Sequence, residues 1–209
     1  MSKSTLLFIA LILLTSNRTE AQNANVDANT NSFSAKLMTE RENNVILGYR
    51  CVIEFNSNKF AAIFPANYRV QQDRQRHRIV ATSQDRSCVL TLSFTNALIL
   101  GKDQEFDHQS LQNRLAGQFQ GAKIVDETWQ FALENQAPTF DLLRRTAAGE
   151  THRARVSFVS TAKALVTVAM TSTQDRFQHN AFAFADLLAS LLQADEDGKL
   201  EINPLSNKL

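Results

Sequence analysis

The chain has 209 residues, 44% of them hydrophobic, with a formal net charge of +1 and two cysteines. That length and apolar fraction suffice for one domain with a substantial core. A near-neutral chain has no global field to draw it onto nucleic acid or an anionic bilayer, so a charge-based partner must be met by a local patch.

The first element in chain order is an export signal rather than part of a fold. Lys3 precedes an unbroken apolar run over 6–14, and a polar stretch ends in Thr19-Glu20-Ala21, with small residues flanking Glu20 before a cut at Gln22. That is the layout of a secretory signal peptide over residues 1–21. The run is far shorter than the about 20 apolar residues that cross a bilayer. The protein is therefore expected to be exported to a periplasm, a lumen or the medium, with no membrane span after signal removal. Removal takes two of 22 basic and one of 21 acidic residues, so the remainder is formally neutral. No cysteine stands at the cut, and a lipoprotein anchor is not expected.

Residues 22–44 are rich in Asn and other polar residues and are expected to be a flexible leader, because they bury too little apolar surface to offset ordering entropy. An ordered domain is expected over 45–194, followed by a loose acidic tail over 195–209. Tyr49, Cys51, Ile53 and Phe55 alternate with polar residues as one side of a strand. Asn56-Ser57-Asn58-Lys59 is turn chemistry, and Phe60–Phe64 returns as the second strand of a hairpin that Pro65 stops. Extended stretches follow over 68–70 and 77–83. Cys88, Leu90, Leu92 and Phe94 then alternate with Ser87, Thr91, Ser93 and Thr95.

The period changes between Glu105 and Gly121. Leu111, Leu115 and Phe119 recur every fourth residue, which predicts an amphipathic helix that Gly121 ends. Four strands over about 123–134, 137–146, 151–161 and 164–172 are joined by connections short enough for hairpins, hence an antiparallel meander. A final helix over about 174–194 starts where Ser172 and Asp175 have capping-box spacing. Its buried stripe is Phe177, Ala181, Phe184, Leu188 and Leu191 or Leu192. Helices with one apolar stripe each must lie on a sheet, so the fold class is a single-domain α+β protein with an antiparallel β-sheet covered by helices.

That element order, with Phe64-Pro65-Ala66-Asn67-Tyr68-Arg69-Val70 closing the first hairpin, resembles the PsbP-like superfamily over about residues 48–193. Members include an extrinsic protein of the photosystem II lumenal face, a nuclear-import accessory factor that binds a small GTPase, and many exported bacterial proteins. The resemblance implies a scaffold that binds proteins or ions and rarely does chemistry, and it carries no photosystem-specific signature.

Catalytic and metal motifs do not assemble. His77, His108, His152 and His179 stand at no metal-ligand spacing, and His77, His152 and His179 lie in polar stretches that read as solvated surface. No G-x-S-x-G elbow or phosphate-binding glycine loop is present. Ser160-Thr161-Ala162-Lys163 matches an S-x-x-K string, yet it straddles a strand-to-strand turn and its supporting strings are missing. Asp195, Asp197 and Gly198 imitate part of a calcium loop, but position twelve would be Pro204. The sequence therefore predicts no catalytic residue, no metal and no cofactor.

What remains is two basic patches and a cysteine pair. Arg74, Arg76 and Arg78, with Arg69 and His77 beside them, crowd one loop and its strand. Arg144, Arg145, Arg153 and Arg155 fall on adjacent meander strands. Alternation puts Arg153 and Arg155 on one face, whereas Arg144 and Arg145 point to opposite faces, so Arg144 is the residue expected to join them. Arginine suits carboxylate or phosphate groups on a partner. Cys51 and Cys88 are expected to form a disulfide in an exported chain if their strands are neighbours. The sequence thus points to an exported, non-catalytic binding or accessory module that docks a protein partner through an arginine-bearing sheet face, with no nucleic acid. The alternatives are an enzyme whose site no motif reveals and a carrier of an apolar small molecule.

Overall fold

The computed structural model describes residues 32–43, 45–96, 108–133, 135–145, 149–161 and 163–194. The signal peptide and the acidic tail expected from sequence lie outside these residues. Eleven strands and two helices are described. β1 (Phe33–Glu42), β2 (Val45–Phe55), β3 (Asn58–Pro65) and the short β11 (Leu192–Gln193) form a four-stranded antiparallel sheet in the order β1-β2-β3-β11. The second sheet uses β4 (Tyr68–Asp73), β5 (Arg78–Ser83), β6 (Cys88–Asn96), β7 (Lys123–Ala132), β8 (Asn135–Arg145), β9 (Thr151–Ser160) and β10 (Ala164–Thr173). Its order is β4-β5-β6-β10-β9-β8-β7, again antiparallel throughout.

The architecture is mainly β, with two antiparallel sheets where the sequence suggested one. The division occurs at Pro65. Proline ends β3, the turn at Ala66-Asn67 breaks the ladder, and β4 leaves to join the other sheet. Asn67 holds the corner through its carbonyl, which accepts the Gln84 N–H at 3.0 Å. Earlier in the chain, Asn56 and Ser57 both take positive φ (50° and 64°), as the primed two-residue turn of a hairpin requires. The meander is as the short connections predict, each strand antiparallel to the next. Its β9–β10 turn is closed by Thr161, whose hydroxyl accepts the Ala164 N–H at 3.0 Å.

The polar leader is corrected in its second half: residues 33–42 are β1, paired with β2 from Phe33↔Phe55 to Glu42↔Val45. Only its first residues reach the core, where Phe33 and Ala35 pack partly buried. Pairing with β2 supplies what burial does not.

Two layers of apolar contact hold the larger sheet. On one face, Ile53, Phe55, Phe60 and Phe64 of the smaller sheet meet Ile79, Leu90, Leu92 and Phe94. Phe94 is the hub, with ring centroids at 5.1 Å from Phe60 and 5.9 Å from Phe55. The final helix, numbered α2 (Phe177–Ala189), continues this layer and packs against β10, β3 and β7. It buries Phe177, Asn180, Phe184, Leu187 and Leu188. On the opposite face lies α1 (His108–Gln118), whose Leu111 and Leu115, with Phe119 beyond its end, cover Phe140, Leu142, Ala154, Val156, Phe158 and Leu165. The α1 stripe follows the fourfold spacing of the sequence, whereas in α2 Asn180 and Leu187 are buried with Phe177, Phe184 and Leu188, and the expected Ala181 is only partly buried.

Three other expectations are corrected here. The capping box does not form: Arg176 is the N-cap of α2 and makes no side-chain cap bond. Ser172 belongs to β10 and instead accepts a hydrogen bond from Asn180 Nδ2 at 2.9 Å, a buried polar pair inside an apolar stripe. Cys51 and Cys88 are free thiols, both buried, and no disulfide joins them. Cys51 stands opposite Ala62 in the smaller sheet and Cys88 opposite Ser172 in the larger, so their strands face each other across the core rather than pairing. Finally, His152 is no surface histidine. At 3% exposure it shares the α1 side of β9 with Ala154, Val156 and Phe158.

Candidate functional site

Register decides which arginines meet. Arg155 lies directly opposite Asp141 across the β8–β9 ladder, and Arg153 lies opposite Leu143. Alternation then places Asp141, Leu143, Arg145, Arg153 and Arg155 on one face, the side that carries α2. Arg144 falls on the other face, opposite His152. The expected trio of Arg144, Arg153 and Arg155 is therefore not assembled, and the residue that shares their face is the exposed Arg145.

Asp141 holds the pair. Its Oδ1 accepts Arg155 Nε at 2.7 Å, and its Oδ2 accepts Arg155 Nη2 at 2.9 Å and Arg153 Nη2 at 3.0 Å. Phe177, the first residue of α2, lies against both guanidinium groups, with Arg153 Cζ 4.1 Å and Arg155 Cζ 5.3 Å from the ring centroid. The carboxylate is almost fully buried, while each arginine side chain keeps about a fifth of its surface exposed, 19% and 20%. The hydrogen bonds that Arg155 donates to Asp141 raise its pKa against the cost of its burial, with a further push from Asp126 on β7. The arrangement is a charged cluster fixed from beneath and open on top.

The second patch is built differently. Arg78 Nε donates to Asp73 Oδ2 at 2.9 Å, the Arg76 backbone N–H reaches Asp73 Oδ1 at 3.3 Å, and Arg74 is exposed at the β4–β5 turn. Desolvation lowers the pKa of Arg78 despite Asp73. β6 and β10 lie between this turn and β9, so the two basic patches are separate surfaces.

On the α1 face, Phe119, Ala122, Leu142, Arg144, His152 and Thr171 line a small cleft. Neither ring nitrogen of His152 has a hydrogen-bond partner among the described residues, and Nε2 lies 3.6 Å from Glu150 Oε2. Among the described residues no group of three His, Cys, Asp or Glu side chains is placed to hold a metal ion. No helix among them is long and apolar enough to cross a membrane.

Sequence reasoning missed Asp141, whose role depends on a cross-strand register that no local pattern encodes. It also missed the exposure of Trp129 and Phe131 on β7, at 55% and 69%. Their alternation with polar residues reads as a half-buried strand, and only the strand order reveals an edge.

No family model and no curated protein matches the sequence. Solved structures similar to the chain include cyanobacterial PsbP from Synechocystis sp. PCC 6803, with 12% identity, 63% of this chain and 85% of that chain covered, and a TM-score of 0.48. LpqN of Mycobacterium tuberculosis, described as involved in cell envelope biogenesis, shows 12% identity over 78% of this chain and 92% of its own, with a TM-score of 0.46. The Saccharomyces cerevisiae Ran-binding protein Mog1p shows 9% identity over 63% and 88%, with a TM-score of 0.41. A cyanobacterial PsbP is thus among the solved structures similar to the chain, at low identity and a TM-score under 0.5.

Proposed function

We propose that the protein is an exported, non-catalytic binding or accessory module that docks a protein partner through the arginine-bearing face of β8 and β9. The observation that carries this reading is the Asp141-held pair, Arg153 and Arg155, each about a fifth exposed beside the exposed Arg145. Free surface arginines lose rotamer entropy when they bind. These two are already fixed by Asp141 and the Phe177 ring, so their outer N–H groups are presented with that cost met in folding. The matching partner surface is acidic, because a planar guanidinium fits a carboxylate with two hydrogen bonds. Arg74, at the separate β4–β5 turn, is a second cationic contact for a partner that wraps the sheet.

The test uses Arg145→Glu, which leaves the Asp141 cluster intact, beside Arg153→Ser/Arg155→Ser. Capture of partners from the exported fraction is measured together with melting temperature. Arg145→Glu is expected to melt like wild type and to lose salt-sensitive capture. Unchanged capture by a folded Arg145→Glu protein would refute docking on this face.

A further inference from the structure

We propose that the protein self-associates through β7, two copies pairing their Lys123–Ala132 strands antiparallel about a two-fold axis at Thr128. β7 ends the larger sheet, so one of its edges faces no strand among the described residues. It is ten residues long and lacks most of the devices that blunt natural edges. It has no proline, its one lysine is its first residue, and its irregularity lies at Ile124–Asp126 rather than at its middle. Its apolar side chains are uncovered as well: Ile124 is 40%, Val125 49%, Trp129 55% and Phe131 69% exposed.

The bareness has a structural cause. Trp129 and Phe131 pair with Pro138 and Gln136, which places them on the α1 face in line with Phe140 and Leu142. The residues buried under the stripe of α1 belong to β8, β9 and β10, and none of them to β7. The two aromatic side chains alone leave roughly 200–300 Å² per copy in water, given about 150–250 Å² for a whole aromatic residue. A standard interface takes about 800 Å² from each partner, so the aromatics, with flanking Ile124 and Val125 and the strand backbone, supply a patch at the small end of the range and hence a weak, concentration-dependent dimer.

Charge selects the occupant and the register. Asp126 and Glu127 are the central charges of β7. An axis at Glu127 or at Asp126 would set two identical carboxylates directly opposite each other, which destabilises a ladder. An axis at Thr128 sets Glu127 opposite Trp129 of the second copy and Asp126 opposite its Gln130, with the two Thr128 side chains face to face. It also overlaps Ile124–Ala132, all but the first residue of the strand, whereas an axis at Trp129 leaves Lys123–Val125 unpaired. The two Trp129 rings become diagonal neighbours, within reach for aromatic side chains. Because the axis is perpendicular to the sheet, both α1 helices lie on one side and flank a single band of Trp129 and Phe131.

Sedimentation velocity of the purified protein from about 1 to about 100 µM reads this directly, a range that brackets a micromolar dissociation constant. Trp129 is the only tryptophan, so its emission should shift to the blue as concentration rises. Wild type is expected to move from monomer to dimer, and Trp129→Lys and Phe131→Lys to stay monomeric with unchanged circular dichroism and melting temperature. Mild oxidation should link Thr128→Cys into a covalent dimer but leave Gln130→Cys, whose copies stand four positions apart, unlinked. A wild type that is monomeric throughout, a dimer that survives Trp129→Lys, or a Thr128→Cys protein that does not link would each overturn the proposal. None of these results touches the arginine face, which is tested by Arg145→Glu.

Discussion

Asp141 and Arg155 stand directly opposite each other across β8 and β9, and their side chains close a two-bonded ring at 2.7 and 2.9 Å. Arg153 adds a third bond to the same carboxylate. Removing the carboxylate leaves two partly buried cations beside each other and against Phe177. Asp141→Ala should therefore cost about 2–4 kcal/mol in urea unfolding, somewhat below the loss for a fully buried pair because both arginines touch water. A variant within ~1 kcal/mol of wild type would show that the cluster contributes little to the fold.

Phe184 sits in the middle of the α2 stripe and is fully buried. Its truncation opens a cavity between the helix and the sheet. Phe184→Ala should cost about 3–5 kcal/mol, a large share of a domain's usual margin. Chemical denaturation of the variant measures it, and a loss below ~1 kcal/mol would mean the helix packs loosely.

Stability should also depend on acid through Asp85. The Ser83 hydroxyl donates to its carboxylate at 2.7 Å, and the Ser87 backbone N–H and hydroxyl add bonds at 3.0 and 2.9 Å. These bonds, the Ser83 one first, hold its pKa below the usual carboxylate range. A group with a folded-state pKa below its unfolded value stabilises fully above about pH 4 and loses that contribution as pH falls through the folded-state pKa. The stability gap between wild type and Asp85→Asn should thus be widest near neutrality and shrink below about pH 4. A gap that is flat with pH would contradict the assignment.

The thiols should be silent in the native protein. Burial pushes both Cys51 and Cys88 up to about 11, so little thiolate is available near pH 8. Iodoacetamide is expected to label neither cysteine in the folded protein and both after denaturation without reductant. Failure to label the denatured, unreduced protein would mean that the chain carries a disulfide after all.

Most strands and both helices were legible because each repeats a residue type at the period of its own backbone. Leu111, Leu115 and Phe119 announce α1, and Leu90, Leu92 and Phe94 announce β6, from spacing alone. β1 was not legible: beyond Phe33 and Ala35 it has no buried face, and it exists because β2 offers it a ladder. The shared face of Arg153 and Arg155 also followed from alternation. Their partner did not, since nothing near residue 153 in the chain points to Asp141. Nor could spacing separate two sheets from one, because the decision rests on a corner at Pro65 and not on any strand's pattern. The same limit hides the free thiols, because a bridge needs neighbouring strands and spacing does not say that β2 and β6 lie in different sheets.

β10 has a consequence for how the molecule is made. It lies between β6 and β9, so it is the one strand that joins the β4-β5-β6 meander to the β7-β8-β9 meander. Each meander can assemble from contacts close in sequence, but their union waits for a strand near the end of the chain, and α2 and β11 follow only after it. A ladder between residues so distant closes a long loop before it gains any contact, which slows folding toward the millisecond-to-second range typical of such topologies. Until residues 164–173 have been made, the chain lacks the strand that joins the two meanders, and β6 and β9 each lack a neighbour on that side.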